Sequence, residues 1–280
     1  MVSPLAWGMW RLAGDDVAAV RALIDAALEA GITLFDTADI YGFDTAAGFG
    51  SAEALFGRAL AEDGTLRHRM VIATKGGILP PMPYDSSRAY LTAALDDSLR
   101  RMQVETVDLY QVHRRDLLTH PHEVAGALDA MVASGKVRSV GVSNHSPAEF
   151  EALQAFLGQP IVATQPEFSA LHTVPLFDGT LDQAMARDVA VLAWSPLGGG
   201  RLARGDHPAA ALLAKHGAAF GVDAGTAALA WVMAHPARVI PIVGSQNAVR
   251  IAAAAGAYRV EWTREQWYAV LQAGMGATLP

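Results

Sequence analysis

Four side chains set the chemistry open to this sequence. In Phe35-Asp36-Thr37-Ala38-Asp39-Ile40-Tyr41-Gly42 an acid closes a short apolar run, and a phenol follows beside a glycine that permits a tight turn. Val71-Ile72-Ala73-Thr74-Lys75 puts a lysine at the end of a second apolar run, and Tyr110-Gln111-Val112-His113 does the same for a histidine. A phenol with its ordinary pKa of about 10 is a weak acid at neutral pH, and a neighbouring ammonium favours its phenolate. An acid that holds the lysine, a lysine beside the phenol and an imidazole nearby make a proton-delivery set. Its target would be an oxygen that gains negative charge. The bland alternative is a buried Asp36–Lys75 ion pair with a packing Tyr41 and a satisfied core His113.

Apolar runs that hand polar groups to one rim need strands that emerge at the same end. The first strand is expected at Leu5–Gly8, the second ends at Asp36 and the third at Lys75. The others are expected at Val107–Val112, Val137–Val142, Ile161–Gln165, Val189–Trp194 and Val239–Val243. Helical periodicity falls between them: 17–28, 51–60, Ser87–Met102, His122–Ser134, Pro147–Leu157, Leu181–Arg187, Gly225–Ala234 and Ala248–Ala255. Strict alternation predicts parallel strands with right-handed crossovers, and eight units predict closure into a (β/α)8 TIM barrel, one domain over 1–280. An open doubly wound sheet is disfavoured because no GxGxxG follows the first strand. Trp262–Met275 reads as an extra helix outside the barrel.

Composition narrows the function classes. Of 280 residues 52% are hydrophobic, enough for a large core, and the net charge of -7 argues against a nucleic-acid partner. Cysteine is absent, which leaves no disulfide framework and no thiolate metal site and suits a cytoplasmic protein. The nine histidines are scattered without an HExxH, so no metal is expected. No basic segment followed by an apolar run opens the chain and no stretch has the length of a membrane span, so no membrane partner is expected. The expected partner is a small molecule, and the oligomeric state is left open, with a monomer compatible.

FDTADIYG, ATKGG and YQVHRRD, followed in order by GVSNHSP, TQPEFS, LAWSPLGGGRL and PIVGSQNAVR, resemble the aldo-keto reductase superfamily over nearly the whole chain. EWTREQWYAVLQAGMG resembles its short-tailed bacterial branch. The resemblance implies reduction of an aldehyde or ketone by hydride from a reduced nicotinamide. Tyr41 would act as the acid, Lys75 held by Asp36 would lower the Tyr41 pKa, and His113 would orient the carbonyl. Ser143, Asn144 and Gln165 would hold the carboxamide, and Trp194 would stack on the ring unless it is simply a core Trp. Gly8 and Met9 would join the cofactor site, and Ser195, Leu197, Gly198, Gly199, Gly200 and Arg201 would surround the pyrophosphate. Gly244, Ser245 and Arg250 would face the adenosine 2′-phosphate.

On that reading NADP(H) is the expected cofactor, with NAD(H) second. Trp7, Met9, Trp10, Ile78, Tyr84 and Arg114 would line the mouth and suit an apolar or aromatic aldehyde. Two departures stand out. Gly244 occupies a place where many relatives carry Lys, and Arg115 stands where many carry Pro. Members also place a β-hairpin before the first strand, whereas almost nothing precedes Leu5 here, so the expectation is either an open barrel floor or a truncated chain. The rival readings are a nicotinamide-binding sensor or accessory subunit and a Schiff-base enzyme that uses Lys75 as nucleophile.

Overall fold

The structure is a computed structural model that describes residues 2–279. Eight parallel strands pair in chain order: β1 (Ala6–Gly8), β2 (Leu34–Asp36), β3 (Val71–Gly76), β4 (Val107–Val112), β5 (Val137–Ser143), β6 (Ile161–Gln165), β7 (Ala190–Ala193) and β8 (Ile240–Val243). β8 pairs back onto β1, Ala6 opposite Ile242, and closes the barrel.

Side chains alternate along each strand. Ala6, Leu34, Ala73, Leu109, Ala163, Leu192, Ile240 and Ile242 turn inward and fill the barrel. Trp7, Phe35, Ile72 and Tyr110 turn outward into the larger core beneath the helices. Two residues beyond Leu34, Ala73, Leu109 and Ala163 come Asp36, Lys75, Gln111 and Gln165. The inward row that is apolar in the middle of the barrel is therefore polar at its C-terminal rim.

The helices are α1 (Val17–Glu29), α2 (Ser51–Ala61), α3 (Arg88–Met102), α4 (Pro121–Ala133), α5 (Pro147–Gln154), α6 (Thr180–Arg187), α7 (Arg201–Arg204), α8 (Pro208–Ala218), α9 (Ala224–Met233), α10 (Ala248–Ala254) and α11 (Arg264–Met275). Their starts are written locally. Asp16, Ser87 and Asp223 cap α1, α3 and α9, and α5 and α11 open with capping boxes, Ser146–Glu149 and Thr263–Gln266.

α7 and α8 fall outside the helices expected from periodicity. α8 is ordinary helix in hindsight, with Pro208 in its first turn and the His207 ring capping Ala209, and it packs on α9 and α11. α11 lies outside the barrel, as expected. There Trp231 and Trp267 stack at 4.6 Å, and each indole N–H donates to the other's carbonyl at 3.0 Å. At the floor, Val71 and Ala190 lie two residues before Ala73 and Leu192 on the inward row and are half-buried. Beside them the chain start is tied down: Ser3 Oγ accepts from the Thr33 amide and Ser3 N donates to Thr33 Oγ1. No helix among the described residues is long and apolar enough to cross a membrane.

Candidate active site

The barrel rim brings the four residues of the motif together. Asp36 ends β2, Lys75 lies on β3, His113 follows β4, and Tyr41 stands in the turn after β2. Lys75 is fully buried and its ammonium has three acceptors: Asp36 Oδ2 at 2.7 Å, the Thr37 carbonyl at 2.7 Å and Tyr41 Oη at 3.2 Å. Three protons meet three acceptors. Tyr41 thus receives a proton contact from Lys75 and keeps its own O–H for another partner. Gln165 Nε2 donates to Asp36 Oδ1 at 2.9 Å and fixes the carboxylate from the far side of the barrel. The His113 ring stands edge-on to Tyr41 with centroids 6.0 Å apart.

The electrostatics differ in one respect from the expectation. Burial alone would lower the Lys75 pKa, but the charge of Asp36 and the contact with Tyr41 raise it, so the side chain is an ammonium. Lys75 does pull the Tyr41 pKa down, yet burial is the larger effect and Asp36 adds to it, so the Tyr41 pKa lies above its ordinary value. His113 is held well below the usual imidazole range by burial and by the charges of Lys75 and Arg114. Its Nδ1 is buried without a partner.

The next rim positions form one hydrogen-bonded row. Ser143 Oγ donates to the Gln165 carbonyl at 3.0 Å, Asn144 Nδ2 donates to Ser143 Oγ at 2.8 Å, and Trp194 Nε1 donates to Asn144 Oδ1 at 2.8 Å. Asn144 and Ser195 sit at positive φ, 55° and 53°. Gly198, Gly199 and Gly200 follow at φ 56°, 67° and 88°, a left-handed run that glycine allows. A Cβ on Gly199 would meet nothing within 4 Å, while the amides of this run donate inside the loop: Gly198 N to the Ser195 carbonyl, Gly199 N to Ser195 Oγ and Gly200 N to the Leu197 carbonyl. Leu197 is half-buried beside it, and Arg201 is exposed at the start of α7.

Ser245 and Gly244 are half-buried just after β8, and Arg250 is exposed in the first turn of α10. Arg11 is the residue that motif reading misses. It reaches across from the loop after β1, with Nη1 3.4 Å from the Gly244 carbonyl and 3.4 Å from where a Gly244 Cβ would stand. A cation supplied from another strand end thus stands beside Gly244. Only the sequence-distant contact between β1 and β8 reveals it. Gln111 is the second omission. It is fully buried on the inward row beside Lys75, and its amide has no partner. Its place in the YQVH segment signalled it.

The mouth divides the expected lining residues. Trp10 is 54% exposed and packs edge-on to Tyr41 at 5.1 Å. Ile78 and Arg114 are half-buried and Tyr84 is exposed. Trp7 and Met9 do not line the mouth. Trp7 turns outward, fully buried against Phe35, and its indole donates to the Ser245 carbonyl at 2.9 Å. Met9 is also fully buried. Gly8 is set by packing, because a Cβ there would lie 2.5 Å from Ile242 Cγ2. Arg115 replaces the stiffness of a proline with hydrogen bonds: its guanidinium donates to the carbonyls of Asp116 and Thr119. No group of three or more metal-ligating side chains occurs among the described residues.

Residues 4–273 match the Aldo/keto reductase family. The chain is 54% identical to the 6-dehydroglucose reductase of Novosphingobium aromaticivorans, across 100% of this chain and 94% of that one. It is 40% identical to the 6-dehydroglucose reductase of Agrobacterium fabrum over 98% of this chain and 95% of that protein. Among solved structures it superposes on the glycerol dehydrogenase of Gluconobacter oxydans with a TM-score of 0.84 at 28% identity, covering 97% of this chain and 92% of the other. Barrel, rim and sequence agree: the chain belongs to the aldo/keto reductase family, oxidoreductases that reduce carbonyl groups with NAD(P)H.

Proposed function

We propose that this protein reduces the aldehyde of a sugar to a primary alcohol, with NADP(H) preferred over NAD(H) and 6-dehydroglucose as the leading substrate. The carrying observation for the chemistry is the Lys75 ammonium with its three acceptors, which leaves the Tyr41 proton free to go outward. When bound, the reduced nicotinamide supplies a hydride to the carbonyl carbon. The chain's own residues handle the oxygen. Tyr41 Oη donates its proton as negative charge grows there, and Lys75 stabilises the phenolate left behind. Asp36 keeps Lys75 charged and aimed. Neutral His113 can donate a hydrogen bond to the same oxygen from Nε2, which selects the approach of the carbonyl. A charged lysine whose donors are all engaged is a poor Schiff-base nucleophile.

Ser143, Asn144 and Gln165 would hold the carboxamide side, Trp194 the ring, and Ser195, Leu197 and the glycine run the pyrophosphate. Arg250 and Arg11 supply two cations for a 2′-phosphate, which argues for NADP(H). Two relatives that cover 100% and 98% of the chain are named 6-dehydroglucose reductases, and this supports a sugar aldehyde over the apolar aldehyde expected from composition of the mouth. The exposed Trp10 face offers a flat apolar wall for sugar C–H groups, and Arg114 offers donors for hydroxyls. All these residues come from one chain, so a monomer is sufficient, and the cysteine-free sequence suits the cytoplasm.

The test is NADPH oxidation with 6-dehydroglucose against a panel of apolar and aromatic aldehydes. The sugar aldehyde is expected to give the highest kcat/KM. A clear preference for benzaldehyde-type substrates would overturn the substrate assignment.

A further inference from the structure

Behind Lys75, on the helix side of β3, lies a second buried polar cluster that carbonyl reduction does not use. Thr74 and Gly76 turn outward where Lys75 turns inward. Against them sit Asp39 from the β2 turn, Glu53 from α2, Tyr90 and Arg101 from α3, and Tyr110 from β4. Asp39 and Glu53 are both fully buried, and Arg101 is the cation that faces them. That cation is committed to Glu53: Arg101 Nε donates to Oε2 at 2.8 Å, while Thr74 Oγ1 donates to Oε1 at 2.5 Å. Among side chains Asp39 has only Tyr90, whose hydroxyl lies 3.0 Å from Oδ2, and no side chain partners its Oδ1. The Tyr110 hydroxyl is also unpartnered. A Cβ on Gly76 would lie 2.2 Å from that hydroxyl and 3.3 Å from Asp39 Oδ2, so the glycine makes room for both oxygens.

Two buried acids with one cation favour a proton on one of them. Burial, with the charge of Glu53, pushes Asp39 up to about 7, against the smaller opposing effects of Tyr90 and Arg101. Tyr41 lies two residues along the same turn, and Asp85 faces Tyr90 from the loop that follows Ile78.

The Tyr90 hydroxyl sits between two acceptors, Asp39 Oδ2 at 3.0 Å and the Ile78 carbonyl at 3.3 Å, and its single proton cannot serve both. With Asp39 protonated, the acid donates to Tyr90 and Tyr90 donates to Ile78. With Asp39 ionised, Tyr90 turns its proton to the carboxylate and releases the Ile78 carbonyl. Ile78 belongs to the loop 77–87 at the mouth. We propose that Asp39 is a positioning residue whose proton, relayed through Tyr90, holds the Ile78 side of the active-site mouth in place. Its effect on substrate rests on the reading of that loop as a wall of the site, whereas the relay itself does not.

The experiment therefore has one arm without substrate. Hydrogen exchange of segment 77–87, corrected for intrinsic rate, is compared at pH 6 and pH 8 in wild type, Asp39→Asn and Tyr90→Phe. Wild type should lose protection in this segment at pH 8. Asp39→Asn, which can donate to Tyr90 at any pH, should keep it, and Tyr90→Phe should lack it at both.

A second readout follows from linkage. A raised folded pKa gives stability that is present below about pH 4 and is lost as pH rises towards 7, so the wild-type Tm should fall relative to Asp39→Asn over that window. With glyceraldehyde as the probe aldehyde, wild-type KM should rise about two- to tenfold from pH 6 to pH 8 with kcat unchanged, and Asp39→Asn should flatten that rise. Equal pH dependence of exchange in wild type and Asp39→Asn would overturn the relay. A flat wild-type KM beside a working relay would overturn only its link to the substrate.

Discussion

Lys75 Nζ lies 2.7 Å from Asp36 Oδ2 with side chains 0% and 3% exposed, so the pair is a buried ion pair on which the whole rim depends. Gln165 grips the other carboxylate oxygen and Tyr41 the third lysine proton. Lys75→Met would strand the Asp36 charge in the barrel. The expected loss is about 3–5 kcal/mol of unfolding free energy. Asp36→Asn should cost less, since a desolvated Lys75 can shed its proton. Urea unfolding of the three proteins checks this, and equal midpoints would show that the pair carries no stability.

The pH dependence of kcat follows from two protonation states. A general acid must hold its proton, and Tyr41 has a pKa raised above its ordinary value by burial and Asp36. His113, lowered well below its own by burial, Lys75 and Arg114, does not change charge near neutrality. The kcat for reduction is expected to stay flat from pH 6 to about pH 10 and to fall above it. The reverse oxidation needs the phenolate and should rise with pH over the same range. A step in kcat near pH 6.5 would assign a charged His113 to the reaction.

Much of this was legible in the sequence, for a physical reason that also marks where legibility stops. Asp36, Lys75 and His113 each end an apolar run, and a strand that leaves a barrel core must expose its next inward residue at the rim. Eight such runs alternating with helical periods gave the barrel. Trp7 was misplaced because an aromatic at a strand end looks the same whichever way it turns, and only the pairing of Trp7 opposite Phe35 shows that it points to the helices. Arg11 was invisible because its relation to Gly244 spans 233 positions. The sign of the Tyr41 shift needed burial as well as neighbours, and burial is a property of the fold.

Cofactor choice tests the two cations. Arg250→Ala is expected to weaken NADPH binding by roughly ten- to a hundredfold, the worth of one charge-assisted contact, and to leave NADH nearly unchanged. Arg11→Ala should weaken NADPH more than NADH as well, because its guanidinium stands in the space beside Gly244. Titration of intrinsic tryptophan fluorescence gives both dissociation constants. Equal losses for the two cofactors would remove these arginines from the 2′-phosphate.

The mouth can be tested through Trp10, whose exposed ring rests edge-on against Tyr41. Trp10→Ala should raise KM for 6-dehydroglucose about tenfold or more, within the range for losing a partly buried aromatic contact. Its kcat should change less. A fall in kcat with KM unchanged would mean that Trp10 serves to hold Tyr41 and does not meet the sugar.

The proton that leaves Tyr41 is the centre of the account, and Tyr41→Phe measures it most directly. The variant keeps the ring that packs against Trp10 and His113 and deletes only the hydroxyl that Lys75 contacts. Its kcat for reduction should fall by about 10²- to 10⁴-fold while the NADPH dissociation constant stays at the wild-type value. Near-normal kcat, with a deuterium isotope effect from labelled NADPH showing that hydride transfer limits the rate, would contradict it.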